Sequence, residues 1–137
     1  PADDNPLQPI ASLKTNISQI KKLLRGETIG YGRNGVLPKG GKIATVRIGY
    51  ADGYIRAFGN GVGKMMINGT VVPTIGNISM DMTMLDVSEV VNVEAGDEVI
   101  VFNDQLKVED MAAQINTIPY EILTNISQRV KRVYFYE

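Results

Sequence analysis

Asn68-Gly69 constrains this chain more than any other pair of residues. It lies between Met65-Met66-Ile67 and Val71-Val72, and a two-residue Asn-Gly link between apolar, strand-forming runs specifies a tight β-hairpin. Similar runs recur along the sequence. Ile43 to Tyr50 (IATVRIGY) alternates with β-branched residues, and further strands are expected at 62–67, 71–76, 82–87 and 98–102. Turns fall at Gly26-Glu27, Gly59-Asn60-Gly61 and Ala95-Gly96-Asp97. Thr28 to Tyr31 begins another strand, whereas the glycine-rich residues 32–42 read as a loop. Ala11 to Leu24 fits two patterns: a helical stripe of Leu13, Ile17, Ile20 and Leu24, or the alternation Leu13, Thr15, Ile17. Its strand-like surroundings favour a strand. Farther on, Lys107 to Asn116 places Val108, Met111, Ala112 and Ile115 on one helical face. Pro119 opens a second short helix, Tyr120 to Asn125, and Arg129 to Tyr136 alternates as a final strand. The expected fold is mainly β: a β-barrel-like domain of many short strands with one or two short helices near the C-terminus. Pro6 and Pro9 disfavour helix before them, so residues 1–10 read as an extended linker and 11–137 as one domain.

Composition narrows the chemistry. The chain has 137 residues, no histidine and no cysteine. That excludes thiol catalysis, disulfides and the common zinc, haem and iron–sulfur sites. The acidic residues are scattered without calcium-loop spacing, so no metal is expected. The net charge is −1 with mixed signs, which offers no basic field to nucleic acid or an anionic membrane. No apolar run approaches the ~20 residues of a membrane span, and no signal-peptide pattern is present. A cytoplasmic protein is expected. Without histidine, tyrosine is among the few side chains left for proton transfer near neutral pH. Gly30-Tyr31-Gly32 and Gly49-Tyr50-Ala51-Asp52-Gly53-Tyr54 set tyrosines beside glycines, whose missing Cβ lets a ligand approach. Each string taken singly has a bland reading. Tyrosines mostly serve packing, Arg56 could stack on a ring, and Asp52-Gly53 could be a hairpin turn. Met80 would fill a core, and Asp81 would serve a turn or cap.

Together the strings carry more. GETIGYG, IGYADGYIR, PTIGNISMDMTMLDV, GDEVIVF and IPYEILTNISQRVKRVY follow one another in this order. They resemble the C-terminal domain of alanine racemase over about Ala11 to Tyr134, with IGYADG and the glycine-to-SMD string the most specific. The resemblance implies an enzyme in which an N-terminal (β/α)₈ barrel holds pyridoxal phosphate on a lysine. It also implies a head-to-tail homodimer, each active site being completed by the β-domain of the other subunit. A (β/α)₈ barrel needs ~250 residues, so this chain is expected to be the β-domain alone. It would be inactive by itself, with pyridoxal phosphate held mainly by the barrel and absent from this piece. Lys39 lies in the glycine-rich loop, without a context that matches the cofactor lysine.

Racemisation of L-alanine to D-alanine, for cell-wall peptidoglycan, requires a base on each face of the α-carbon. The resemblance makes Tyr31 one base and the barrel's lysine the other. An unperturbed phenol titrates near ~10, so the assembled site must favour the phenolate through positive charge or hydrogen bonds. Met80 matches the position whose backbone N–H binds the substrate carboxylate. Tyr50 and Arg56 match residues that gate access to the substrate, and Asp81 is expected to support the loop that presents Met80. Gln128 stands where many members have a tyrosine that contacts the cofactor phosphate; an amide can donate a hydrogen bond there but lacks the ring. The ISQRVKRVYF ending is similar to the branch fused behind a cell-wall peptide ligase. Two alternatives stay open: a non-catalytic β-barrel used for interaction or dimerisation, and a racemase domain for another small amino acid such as serine.

Overall fold

The computed structural model describes residues 12–29 and 35–130. The linker expected over residues 1–10 lies outside the described residues, as does Tyr31 between its glycines. Most of the final strand expected over Arg129 to Tyr136 also lies outside them. Its first residue instead belongs to a turn, in which the Val130 N–H donates to the Ser127 carbonyl at 3.1 Å.

Eight strands are described: β1 (Leu13–Leu23), β2 (Thr28–Ile29), β3 (Gly35–Val36), β4 (Gly41–Val46), β5 (Lys64–Ile67), β6 (Thr70–Pro73), β7 (Thr83–Asp86) and β8 (Glu98–Phe102). Six form an antiparallel sheet in the order β6-β5-β8-β1-β4-β7. Beyond β6, Thr74 bridges Leu85 and the Ile75 N–H donates to the Met84 carbonyl at 2.9 Å. The two edge strands therefore meet, and the sheet nearly closes into a barrel, which removes the hazard of open edges. β2 and β3 form a separate two-stranded ribbon.

The hairpin at Asn68-Gly69 forms as its sequence demands. Asn68 has φ 50° and Gly69 φ 80°, the two positive values of a type I′ turn, and Ile67 pairs with Thr70. This register sends Met65, Ile67 and Val72 into the core beside Val46, Leu85, Val99 and Val101. Two helices, α1 (Val108–Gln114) and α2 (Pro119–Thr124), add Met111, Ala112 and Ile122 to the same core.

β1 explains its own double pattern. The strand carries a bulge between Ile17 and Gln19 in its pairing with β4. One extra residue lets Ile17 and Ile20 both pack on the core, three positions apart, inside an extended strand. Leu24, the last member of the apparent helical stripe, is exposed. Ile43 lies on the opposite face of β4 from Ala44 and Val46, and joins a second cluster with Leu23, Ile75, Leu37 and Met84.

Two further expectations differ from the structure. The loop read over 32–42 contains β3 and the first residues of β4. The strand read over Ile43 to Tyr50 stops at Val46, and Tyr50–Asp52 forms a 3-10 turn instead. The reason is a side chain: Asp52 Oδ2 accepts the Gly49 N–H at 2.9 Å, which supplies locally the bond a strand would take from a neighbour.

Candidate functional site

Three sequence motifs converge at one end of β4 and β7. The first is the turn Gly49 to Gly53. Thr83 Oγ1 donates to the Ile48 carbonyl at 2.6 Å, which fixes the turn's start to β7. Gly53 closes it with φ 106°, donating its N–H to the Tyr50 carbonyl at 3.1 Å. A Cβ at Gly53 would overlap the Asn125 carbonyl oxygen and lie 2.9 Å from Ile126 Cα. The glycine is needed both for its conformation and for that approach.

The second motif is Gly76 to Met82, which lies across the turn. The Tyr50 N–H donates to the Ser79 carbonyl at 3.0 Å and the Ala51 N–H to the Met80 carbonyl at 2.9 Å. A peptide is planar and trans, so its N–H points opposite to its carbonyl. Tying the Ser79 and Met80 carbonyls to the turn therefore aims the Met80 and Asp81 N–H groups away from it. Neither N–H donates to any group among the described residues. Successive N–H groups on one side of a chain form a concavity that suits an anion.

The third motif is Asn125 to Arg129. The Ser127 N–H donates to the Asp52 carbonyl at 2.9 Å. Arg129 Nε pairs with Asp52 Oδ1 at 2.7 Å, and a terminal nitrogen pairs with Asp81 Oδ1 at 2.8 Å. The hydrogen bond that Arg129 donates to Asp81 and the charge of Asp52 raise the Arg129 guanidinium above its ordinary value. Asp52 is buried while Asp81 is exposed.

The first two of these loops, with residues of β1, β4 and β7, form an open groove of about 590 Å³, lined by Gln19, Thr45, Tyr50, Arg56, Asn77, Ile78, Ser79, Met80, Met82 and Met84. Tyr50, Arg56 and Met80 thus share one cavity. Asp81 lies beside it on the Arg129 pair. Gln128 is exposed and is not among the lining residues. Tyr31 lies outside the described residues, but the ribbon flanking it does not: a Cβ on Gly76 would touch Gly35 Cα at 3.5 Å and Met84 Cε at 3.7 Å. The β2–β3 pair, Ile29 opposite Gly35, therefore ends beside the groove. Tyr54 takes no part in the lining. It is buried and stacked on Phe58, ring centroids 4.7 Å apart, and burial pushes its phenol up.

Sequence reasoning missed Arg129, Met82 and Met84. The methionines carried a signal, because positions 80, 82 and 84 alternate as residues on one face of a strand do. Among the described residues that line the groove there is no lysine, so none of these offers an amine that could carry an aldehyde cofactor. The groove's cation, Arg56, and the Met80 and Asp81 N–H groups fit an anionic ligand presented from outside. Among the described residues no group of His, Cys, Asp or Glu could hold a metal, and no helix is long and apolar enough to cross a membrane.

A nearly closed antiparallel barrel whose end loops present a methionine-lined groove defines a small β-barrel domain with a candidate ligand groove at one end. The family described as alanine racemase, C-terminal domain, matches residues 10–134, and the chain belongs to that family. Alanine racemase 1 of Clostridium acetobutylicum is 44% identical over 132 residues, covering 93% of this chain and 34% of the relative. The biosynthetic alanine racemase of Pseudomonas aeruginosa superposes with a TM-score of 0.89 at 31% identity, over 98% of this chain and 37% of that one. The alanine racemase of Bartonella henselae, solved with covalently bound pyridoxal phosphate, gives 0.89 at 32% identity over 96% and 37%. The chain spans about a third of the length of these relatives.

Proposed function

We propose that this chain is the C-terminal domain of a pyridoxal-phosphate-dependent alanine racemase, a cytoplasmic homodimer that makes D-alanine for the cell wall. The observation that carries the reading is the groove, in which Tyr50, Arg56 and the outward-facing Met80 N–H lie together. In the assembled enzyme this groove faces the barrel of the partner subunit. The Met80 N–H binds the substrate carboxylate. The methionine-lined wall excludes water around a small side chain, and Tyr50 and Arg56 restrict access. Tyr31 takes or returns the α-proton on one face. Pyridoxal phosphate, carried on the barrel's lysine, supplies the electron sink. The Gln128 amide is able to donate to its phosphate.

The test joins this chain to the barrel of a relative such as alanine racemase 1 of Clostridium acetobutylicum and measures D-alanine formation. The chimera is expected to racemise alanine. Tyr31→Phe should lower kcat about 10²–10⁴-fold, the range of a lost general base. Met80→Leu should stay within a few-fold, because the contact is made by the backbone. A folded, cofactor-loaded chimera without activity, or an active Tyr31→Phe enzyme, refutes the reading. Faster turnover of serine than alanine moves the substrate assignment to serine.

A further inference from the structure

Arg129 is the residue that the proposed chemistry leaves without a task. It follows Gln128 in the NISQR string, and its guanidinium spans two carboxylates from different motifs, Asp52 at 2.7 Å and Asp81 at 2.8 Å. Asp52 turns its other oxygen inward to the Gly49 N–H. Asp81 directly follows Met80 in an exposed turn.

We propose that Arg129 is a positioning residue for the Met80 peptide. Its two-carboxylate clamp holds the Met80-Asp81 turn against Tyr50–Asp52 and so keeps closed the two carbonyl bonds that aim the Met80 N–H. The inference rests on the reading above, in which that N–H binds the substrate carboxylate. Its physical basis is leverage at an otherwise loose point. The Ser79 and Met80 carbonyls are tied to the turn by one hydrogen bond each, but Met80, Asp81 and Met82 are exposed. Between the Met80 carbonyl and Thr83, whose Oγ1 donates to the Ile48 carbonyl at 2.6 Å, the described contacts that restrain the segment without Arg129 are the Ser79 bonds, backbone N–H and side-chain hydroxyl, to the Met82 carbonyl at 3.0 and 2.8 Å. Those bonds close the loop on itself and do not tie it to the Tyr50 turn. The Asp52 end of the clamp is nearly buried, its side chain 10% exposed, so that half is screened less than an ordinary surface pair. A guanidinium reaches two acceptors in one plane, whereas a lysine ammonium is a single point on a flexible stem. The expected order of function is therefore Arg129, then Lys, then Gln.

The experiment uses the protein expressed from its complete coding sequence. It compares wild type with Arg129→Gln, Arg129→Lys, Asp81→Asn and the double variant Arg129→Gln/Asp81→Asn. Steady-state kinetics give KM and kcat for alanine, and hydrogen exchange reads the Ala51 amide, which is bonded to the Met80 carbonyl. Arg129→Gln should raise KM about tenfold, a cost typical of a broken charge-assisted bond, with kcat within about threefold. The Ala51 amide should exchange at least as much faster. Arg129→Lys should fall between, and the double variant should be no worse than Arg129→Gln alone, because both changes open the same clamp. A purely structural residue would lower the active fraction, so kcat would fall while KM and Ala51 exchange stayed at wild-type values; that result overturns the inference. If Arg129→Gln does not fold, Arg129→Lys and Asp81→Asn decide by the same criteria. If the wild-type enzyme does not racemise alanine, the functional reading fails separately, and Ala51 exchange in the same variants still decides whether the clamp exists.

Discussion

Gly49→Ala separates steric fit from backbone strain at the candidate site. Gly49 has φ −149°, which any residue adopts, so alanine brings no conformational penalty. Space is the obstacle. A Cβ at this position would overlap the Ser79 carbonyl oxygen and lie 2.5 Å from that of Met80, where real contacts stay beyond 3.0 Å. Both obstacles are backbone and cannot rotate aside. To admit the methyl group, the Ser79-Met80 segment must retreat from the turn. The two hydrogen bonds that join them, Tyr50 to Ser79 and Ala51 to Met80, then lengthen together. Two lost bonds cost about 1 kcal/mol each, and overpacking adds about 1–3 kcal/mol. A less flexible unfolded chain offsets about 0.4–1 kcal/mol. The net expectation is a loss of about 2–4 kcal/mol. Urea unfolding of the 137-residue chain, followed by far-ultraviolet circular dichroism, measures it. The same shift moves the Met80 N–H, and a misplacement near 1 Å costs about 10²-fold in activity. The racemase chimera should therefore lose at least tenfold in kcat/KM. A stability change under about 0.5 kcal/mol, with unaltered Ala51 amide exchange, would refute the close approach on which the site's geometry depends.

Gly69→Ala is the converse case: nothing lies within 4 Å of its Cβ, but φ is 80°, so a loss of about 1–3 kcal/mol in the same urea assay reports strain alone. Leu85→Ala, at 0% exposure beside the barrel's closing bridge, should cost about 2–5 kcal/mol; a smaller loss would mean that the barrel does not close there. Tyr54 Oη is buried without a partner among the described residues, so Tyr54→Phe should stabilise the chain by about 1 kcal/mol, and a clear loss would refute that. The raised folded value of this phenol also has a sign. Below the unfolded value near ~10 the group is neutral in both states. Above it only the unfolded chain ionises, so stability should fall by about 1.4 kcal/mol per pH unit, and Tyr54→Phe should remove that slope.

Much of the fold was legible because its signals are local. Asn68-Gly69 demands positive φ at two adjacent positions, and the flanking apolar residues leave one register. Pro119 and the apolar face of residues 108–115 set the helices in the same way. The ambiguity in β1 was also physical. A bulge makes a strand place Ile17 and Ile20 on one side three residues apart, and that spacing is the signature of a helix. No local rule reveals it, because the bulge is defined by the partner strand β4. The end of β4 was misread for a related reason. IATVRIGY continues to favour a strand, and the side-chain bond of Asp52 back to Gly49 is what stops it.

At the site, motif resemblance reached the residues but not their connections. Tyr50, Arg56 and Met80 could be named from IGYADGYIR and SMD, and they share one groove. What joins the motifs is a charge network between residues far apart in sequence, Arg129 and Asp81 being 48 positions apart. Any of the chain's fourteen basic residues could have been matched with Asp81 on composition alone. The choice is made by the barrel. Closure of β6 on β7 brings Gly76 to Met82 over the Tyr50 turn, and α2 delivers residues 125–129 to the carbonyl of Asp52. Once those backbones are placed, Asp52 is too buried to go unpaired cheaply, and Arg129 is the cation among the described residues that reaches it. The order of causation therefore runs from strand pairing to loop contact to ion pair, and only the first step is written in local sequence.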